Sequence, residues 1–300
     1  RYALATINFA APVLVTTIEG ADNNNSINNE VLWIREDRQC AWRNVACYDG
    51  WVSSLELGLK SNIVISGTMA TEIGLLKRLK RIDMSHNDLR GTIPPNIGQW
   101  TKLRSIHIDY NMFTGTIPKE IAQLTDLHAL FIGSNDFTGT IPSILGKMSS
   151  ISRIEMYSNN FTSTLPDEIG SMSNLEKANF SSNLLIGTIP STYGDLQEVR
   201  ELDLSYNSII GKIPTELGRL QQVKTIYLGK NLLRHGTWCN PFFGMNSCLS
   251  TILIFSNNFF FFPEYNKLTG SVPQELLDGS IEDIYVYGNQ LSGLIPVEGD

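Results

Sequence analysis

The segment LRSIHIDYNMFTGTIPKEIAQL, residues 103–124, is one full copy of a motif that recurs along most of this 300-residue chain. An Ile-Pro or Leu-Pro pair returns every 24 residues, and an asparagine lies seven positions before each proline. Self-similarity at a fixed period of this length predicts a solenoid of stacked coils. The prolines are Pro94, Pro118, Pro142, Pro166, Pro190 and Pro214.

Each position of the repeat has a physical role. Residues 103–108 alternate apolar and polar side chains, which predicts a short strand with one buried face, and stacked coils then build a parallel sheet. The asparagine of this copy, Asn111, can both donate to and accept from backbone groups that a tight interior turn would leave unpaired. Phe113, Phe137 and Phe161 share one repeat position, so we predict that their rings stack.

The pattern N-x-L-x-G-x-I-P resembles the plant-specific class of leucine-rich repeat found in receptor-kinase ectodomains and polygalacturonase-inhibiting proteins. The resemblance extends from about Trp33 to the C-terminus. The opening RYALAT, with Trp33 and the segment from Cys40 to Cys47, is similar to the N-terminal caps of that class, especially those of diatoms and related algae. The resemblance implies an α/β solenoid, a right-handed leucine-rich repeat superhelix of about ten coils, with a parallel β-sheet on the concave face and an N-terminal disulfide cap.

The sequence predicts one extended domain, since no linker divides the repeat array. Residues 1–51 are interpreted as the N-terminal cap, with a capping helix in residues 3–18 and the Cys40–Cys47 pair. Residues 52–300 form the repeat array, interrupted by irregular loops at 234–248 and 257–265. Because the array ends at residue 300 without a terminal cap, we expect further sequence or a neighbouring chain there.

The cysteines and the glycosylation sequons indicate an extracellular protein. Two local disulfides, Cys40–Cys47 and Cys239–Cys248, are favoured over free thiols, and a zinc site from all four would require distant coils to meet. Disulfides imply an oxidising compartment, so the chain is expected to be secreted or displayed at the cell surface. Three N-x-S/T sequons are candidate glycosylation sites, although such sequons also arise by chance: Asn24, Asn160 and Asn179.

Composition and charge argue against several classes of function. A net charge of −7 disfavours nucleic acid, and no run of about 20 apolar residues suggests a membrane span. His107 should lie near Asp83, Ser105 and Asp109, but an open sheet offers these residues no oxyanion pocket. A charged cross-strand pair explains them more simply. We therefore predict no enzyme activity, no catalytic residue, no metal site and no cofactor.

Aromatic residues gather near the C-terminal end of the predicted sheet. Three consecutive strands, predicted to begin at Val223, Leu249 and Ile281, carry an outward-facing apolar patch. Such patches usually mark partner-binding surfaces, although single surface aromatics are also common in a tyrosine-rich chain. The members of the patch are Tyr227, Leu253, Phe255, Tyr285 and Tyr287.

Residues 257–265, NNFFFFPEY, interrupt the motif. Removing them joins the flanks as LSTILIFS-NKLTGSVP and restores a regular repeat, so we interpret them as an insertion. Its phenylalanines could contact a protein or a lipid, or the loop could fold back over the adjacent repeat and the segment between Cys239 and Cys248. The four are Phe259, Phe260, Phe261 and Phe262.

These observations favour a non-enzymatic extracellular recognition module. It would bind a protein, a peptide or a carbohydrate through the concave face and the aromatic C-terminal loops. One alternative is a structural or adhesive component of an extracellular matrix, self-assembling through the uncapped C-terminal end. Another alternative, implied by the resemblance to polygalacturonase-inhibiting proteins, is an inhibitor of a secreted enzyme. For that alternative, the paired cysteines expected in a C-terminal cap are absent.

Overall fold

The computed structural model describes residues 44–58, 64–69, 71–229, 253–254, 259–260, 267–277 and 281–292. These residues fall into two compact units, one ending at Phe161 and the other beginning at Thr162. The predicted division into a cap and an array at residue 51 stays a prediction. The following predicted features lie outside the described residues: the capping helix in 3–18, Cys40, Cys239, Cys248, Asn24, Phe255, Phe261 and Phe262.

The first unit begins with a β-hairpin at the edge of its main sheet. β1 (Val45–Tyr48) pairs antiparallel with β2 (Trp51–Glu56). The turn residues Asp49 and Gly50 have φ angles of 55° and 76°, which is the geometry that favours Asp-Gly in two-residue hairpin turns. Cys47 is disulfide-bonded. Its predicted pairing with Cys40, outside the described residues, stays a prediction.

The following coils of the first unit build two parallel sheets. In the main sheet, β2 is followed by β4, β6, β8 and β10, and Arg81, Ser105, Ala129 and Arg153 pair in succession at 24-residue steps. The second sheet contains β3, β5, β7, β9 and β11. The strands are β3 (Ser66–Thr68), β4 (Arg81–Asp83), β5 (Asp88–Gly91), β6 (Ser105–His107), β7 (Met112–Gly115), β8 (Ala129–Phe131), β9 (Asp136–Gly139), β10 (Arg153–Glu155) and β11 (Asn160–Phe161).

The second unit follows the same plan. Its main sheet runs β12, β13, β15 and β19 in parallel, and a smaller sheet contains β14, β18 and β20. The strands are β12 (Lys177–Asn179), β13 (Glu201–Asp203), β14 (Ile210–Gly211), β15 (Thr225–Tyr227), β16 (Leu253–Ile254), β17 (Phe259–Phe260), β18 (Lys267–Gly270), β19 (Asp283–Tyr285) and β20 (Gln290–Leu291).

A short helix follows the proline of most coils. Pro118, for example, has φ −67° and ψ 137°, and this extended geometry leads directly into a 3-10 helix that buries Ile121. The 3-10 helices are Thr71–Leu75, Pro95–Gln99, Lys119–Gln123 and Ser143–Lys147 in the first unit and Asp167–Ser171, Ser191–Asp195 and Thr215–Arg219 in the second. After β18, an α-helix, α1 (Gln274–Leu277), stands where the other coils have a 3-10 helix.

The predicted strand beginning at Leu249 does not lie between those beginning at Val223 and Ile281, so that prediction was wrong. Thr225 of β15 pairs directly with Asp283 of β19, 58 residues later. β16 instead pairs antiparallel with β17, which lies on the other side of β19. The reason is that β18 pairs with β14, so β18 belongs to the coil that β15 begins. The coil of β19 then stacks directly on the coil of β15 and β18.

The asparagine of each coil joins that coil to the preceding one. Asn159 Oδ1 accepts a hydrogen bond from the backbone N–H of Phe137 (3.0 Å), and its Nδ2 donates to the Ile132 carbonyl (3.0 Å). Asn289 Nδ2 donates to the carbonyl of Leu228, 61 residues earlier, so these bonds also join the coil of β15 to that of β19. The predicted role of the asparagines is confirmed. Asn111, Asn135 and Asn207 repeat the bonds of Asn159.

Apolar side chains at the same repeat positions fill the interior of each coil. Phe113, Phe137 and Phe161 are fully buried, and successive ring centroids lie 6.1 and 6.2 Å apart with nearly parallel planes. The predicted phenylalanine stack is therefore confirmed. Together with the parallel sheets, it confirms that stacked repeats build each unit, whereas the predicted number of coils and the N-terminal disulfide cap stay predictions.

We predict that Asn159→Ala lowers the free energy of unfolding by about 2 to 4 kcal/mol, because it leaves buried backbone groups of two coils without partners. Asn160→Ala is the matched control, since Asn160 lies next to it on an exposed position of β11. Urea unfolding of both variants, produced without glycans, measures the difference. Equal losses in the two variants would contradict a stabilising ladder.

Candidate binding site on the sheet face

In some coils, the outward polar side chains form hydrogen bonds with groups of the same coil. Asp83 Oδ1 accepts hydrogen bonds from the backbone N–H (3.2 Å) and the hydroxyl (2.7 Å) of Ser85. Asp203 accepts the same pair of bonds from Ser205, at 2.9 and 2.6 Å. Because these bonds close within one coil, such Asp-x-Ser segments hold few groups ready for a ligand.

In the second unit, two tyrosines form a stacked pair on neighbouring strands. Tyr227 and Tyr285 pair in register across β15 and β19. Their ring centroids lie 4.7 Å apart with planes inclined by 11°, and both residues are partly exposed. We call this pair the tyrosine patch. It brings together two of the residues that the sequence assigned to a binding surface.

Tyr287 was predicted to be exposed, and this prediction was wrong, because only 3% of its surface is accessible. Its ring lies over Gly229, where an added Cβ would come within 2.8 Å of the ring Cδ2. The missing side chain at Gly229 thus makes room for the ring. Tyr287 meets Tyr285 edge-on, with centroids 6.4 Å apart, and supports the tyrosine patch from within the coil.

Acidic residues surround the tyrosine patch. Burial raises the pKa of Tyr227, and the nearby Tyr285, Glu201, Asp203 and Asp283 raise it further. Burial and Asp283 also raise the pKa of Tyr285. Both hydroxyls therefore stay protonated at neutral pH and can donate hydrogen bonds to a ligand.

The other predicted site residues lie beside this patch or outside the described residues. Phe259 of β17 pairs with Ile284 of β19, and Phe260 pairs with Leu253 of β16. These three residues therefore lie beyond the strand that carries Tyr285, and Leu253 does not lie between the two tyrosines. Phe255, Phe261 and Phe262 lie outside the described residues.

A second group of aromatic side chains lies on the sheet face of the first unit. The ring of His107 on β6 packs against Phe131 on β8, with centroids 4.5 Å apart and planes inclined by 37°. Tyr157 lies over Gly133, where an added Cβ would come within 2.6 Å of the ring Cε1. Asp109 follows His107 by two positions. We call His107, Asp109, Phe131 and Tyr157 the His107 patch.

Two further rings extend the His107 patch. Tyr110 stacks on His86, with centroids 4.2 Å apart and planes inclined by 11°. Tyr110 also meets Tyr157 edge-on, with centroids 6.3 Å apart. The contacts form a continuous row from His86 to Tyr157, so the rings hold one another in place.

Burial changes the ionisation of the His107 patch. Burial raises the pKa of Asp109, a hydrogen bond from its own backbone N–H and the field of His86 lower it, and the nearby carboxylates of Asp83 and Glu155 raise it. Burial and Arg81 lower the pKa of His107. At neutral pH the patch therefore combines a neutral imidazole with a carboxylate that is only partly hydrated.

The sequence predicted a charged cross-strand pair at His107, not this patch. The register does place His107 opposite Asp83, as expected, but its ring contacts Phe131. A signal was present in the repeats. Three successive coils replace Asp-x-Ser by His-x-Asp, Phe-x-Gly and Glu-x-Tyr, at residues 107–109, 131–133 and 155–157.

Three further properties bear on function. Among the described residues, no group of three or more His, Cys, Asp or Glu is placed to hold a metal ion. No helix in that same part of the chain is long and apolar enough to cross a bilayer. Asn160 is exposed, whereas Asn179 is partly buried and its Oδ1 accepts a hydrogen bond from the Ser181 hydroxyl (2.7 Å). Glycosylation at these sites stays a prediction.

Comparison with known families identifies the repeats. The family model described as Leucine Rich Repeat matches residues 78–100, 102–124 and 198–220. No curated protein sequence matches the chain. The chain therefore carries leucine-rich repeats, and solved structures show which proteins share its architecture.

Three solved structures illustrate the likeness. The ectodomain of the Arabidopsis receptor kinase HAESA, in complex with an IDA peptide hormone, is 24% identical with a TM-score of 0.69, covering 87% of this chain and 38% of that one. The plant peptide hormone receptor RGFR1, in complex with RGF2, is 25% identical with a TM-score of 0.55, covering 76% and 35%. A plant ice-binding protein is 21% identical with a TM-score of 0.68, covering 99% and 88%.

The chain thus resembles plant leucine-rich repeat ectodomains, as its repeat pattern predicted. It spans little more than a third of the length of the two receptor chains. The likeness of the N-terminal cap to those of diatoms and algae, and the likeness to polygalacturonase-inhibiting proteins, stay predictions.

We predict that Asp109→Asn slightly raises the free energy of unfolding at neutral pH, by less than about 1 kcal/mol because solvent still screens this group. A raised pKa in the folded state means that stability contributed by Asp109 is present at low pH and lost as pH rises through that pKa. The gain from Asn should therefore disappear at about pH 3, where both side chains are neutral. Urea unfolding at the two pH values measures it, and an equal loss at both would contradict the assigned ionisation.

Proposed function

We propose that this leucine-rich repeat chain is a non-enzymatic extracellular recognition module that binds a protein or peptide ligand through the tyrosine patch. The observation that carries this proposal is the stacked and partly exposed pair of Tyr227 and Tyr285. Aromatic rings held on a sheet face, with hydroxyls that remain donors, are typical of binding surfaces.

The way in which the tyrosines are held favours tight binding. Each ring is fixed by its neighbour, and Tyr285 is also braced by the edge-on contact with Tyr287. A tyrosine has only two side-chain torsions to immobilise, so its side chain loses little conformational entropy when a ligand packs against the ring. The parallel pairing of β15 and β19 fixes the backbone beneath them.

The comparisons and the redox chemistry support the ligand class and the location. RGFR1, a peptide hormone receptor, matches this chain at 25% identity. A peptide hormone receptor with a similar structure is therefore a precedent for a peptide ligand. The disulfide at Cys47 suits an oxidising compartment, so we infer an extracellular location.

The test uses peptides selected from a displayed random library against the wild-type protein. We predict that the Tyr227→Ala/Tyr285→Ala double variant binds these peptides at least about tenfold more weakly, because it removes both aromatic anchors. Tyr48→Ala is the control, since it removes an exposed tyrosine from the hairpin of the first unit. Isothermal titration gives the affinities, and circular dichroism checks that both variants fold.

Two outcomes would overturn the proposal. Peptide affinities unchanged in the double variant would show that the tyrosine patch is not the contact surface. If the library gives no binders while a panel of cell-wall polysaccharides binds in a tyrosine-dependent way, the patch recognises carbohydrate and the peptide assignment is wrong.

A further inference from the structure

The His107 patch is a departure from the coils beside it. Where Asp83 and Asp203 accept hydrogen bonds from serines of their own coils, Asp109 occupies the serine position and His107 the aspartate position. The His107 ring packs against Phe131, and among the described residues no hydrogen bond joins it to Asp109. The Asp109 carboxylate therefore lacks the serine hydroxyl bond of the other coils and accepts a hydrogen bond from its own backbone N–H instead.

The charge of Asp109 lacks a close basic partner. Within the described ranges, no lysine, arginine or histidine nitrogen lies within 4.0 Å of its carboxylate, whereas Asp83 pairs with Arg81 at 3.2 Å. A partly buried carboxylate without an ion pair is a costly arrangement that an incoming cation would relieve.

Aromatic rings stand next to this carboxylate. Asp109, Gly133 and Tyr157 occupy the same position in successive coils, and the Tyr157 ring reaches across Gly133 to meet Tyr110, the residue next to Asp109, with centroids 6.3 Å apart. Tyr157 is set over Gly133, and Phe131 is held by His107. The negative faces of aromatic rings attract cations, and arginine stacks on them most readily.

We propose that the His107 patch binds an arginine side chain of a protein or peptide partner, with the guanidinium donating to the Asp109 carboxylate and stacking on the neighbouring rings. Arginine is favoured over lysine because its planar group can stack and donate at the same time. The inference rests on the proposed function only in that the partner is a protein or peptide. The site itself lies in the first unit and uses neither Tyr227 nor Tyr285.

The test titrates the whole chain with N-acetyl-arginine methylamide in the millimolar range. Histidine ring signals are followed by NMR on protein labelled at its four histidines. We expect the His107 signal, assigned with His107→Gln, to shift and saturate, while the signal of exposed His128 stays constant. The citrulline analogue, which has the same shape without the charge, should leave His107 unshifted.

Two variants test whether arginine binding depends on the Asp109 carboxylate or on the general negative charge of the chain. Asp109→Asn should weaken arginine binding about tenfold, because it removes the charge and keeps the shape. Asp136→Asn, which removes an exposed carboxylate from β9 of the second sheet, should leave the affinity unchanged. Lysine in place of arginine should bind more weakly.

The inference is overturned if His107 does not shift with the arginine derivative, or if Asp136→Asn lowers the affinity as much as Asp109→Asn. Its failure is distinguishable from that of the proposed function. The Tyr227→Ala/Tyr285→Ala variant should bind the arginine derivative normally, and loss of arginine binding in that variant would also count against a separate site.

Discussion

The structure depends on one interaction, the asparagine side chain that bonds to the backbone of two successive coils. A single amide, such as that of Asn159, accepts from an N–H in the preceding coil and donates to a carbonyl there. These backbone groups are buried, so water cannot replace the amide. Since this inward ladder and the apolar core hold the coils together, the residues on the outward face are free to serve other purposes.

The residues at these outward positions differ from coil to coil. Coils with Asp-x-Ser close their polar groups on themselves, as Asp203 does with Ser205. Aromatic coils instead rely on glycine: Tyr157 covers Gly133 in the first unit, and Tyr287 covers Gly229 in the second. In both cases a missing side chain on one coil makes space for a ring from the next, and this close packing helps to fix the ring.

The repeat period was enough to predict the fold, the asparagine bonds and the phenylalanine stack, because each of these depends on inward positions that recur. It could not place the break in the repeat. A regular repeat is restored when residue 266 is joined either to residue 256 or to residue 230, and only the pairing of β14 with β18 decides between the two. The burial of Tyr287 was missed because it depends on Gly229, a residue of a neighbouring coil. The His107 patch could not be predicted from single residues, because its packed rings and its carboxylate come from three consecutive coils.

The two patches suit binding for the same physical reason. Both lie on a sheet face, where partly exposed rings and polar groups can meet a partner. Binding requires only complementary area and charge. The patches differ in what they offer. The tyrosine patch presents phenol hydroxyls, which are protonated donors at neutral pH and whose pKa burial raises further. The His107 patch presents a carboxylate beside ring faces, so it should prefer a cation where the tyrosine patch prefers an acceptor.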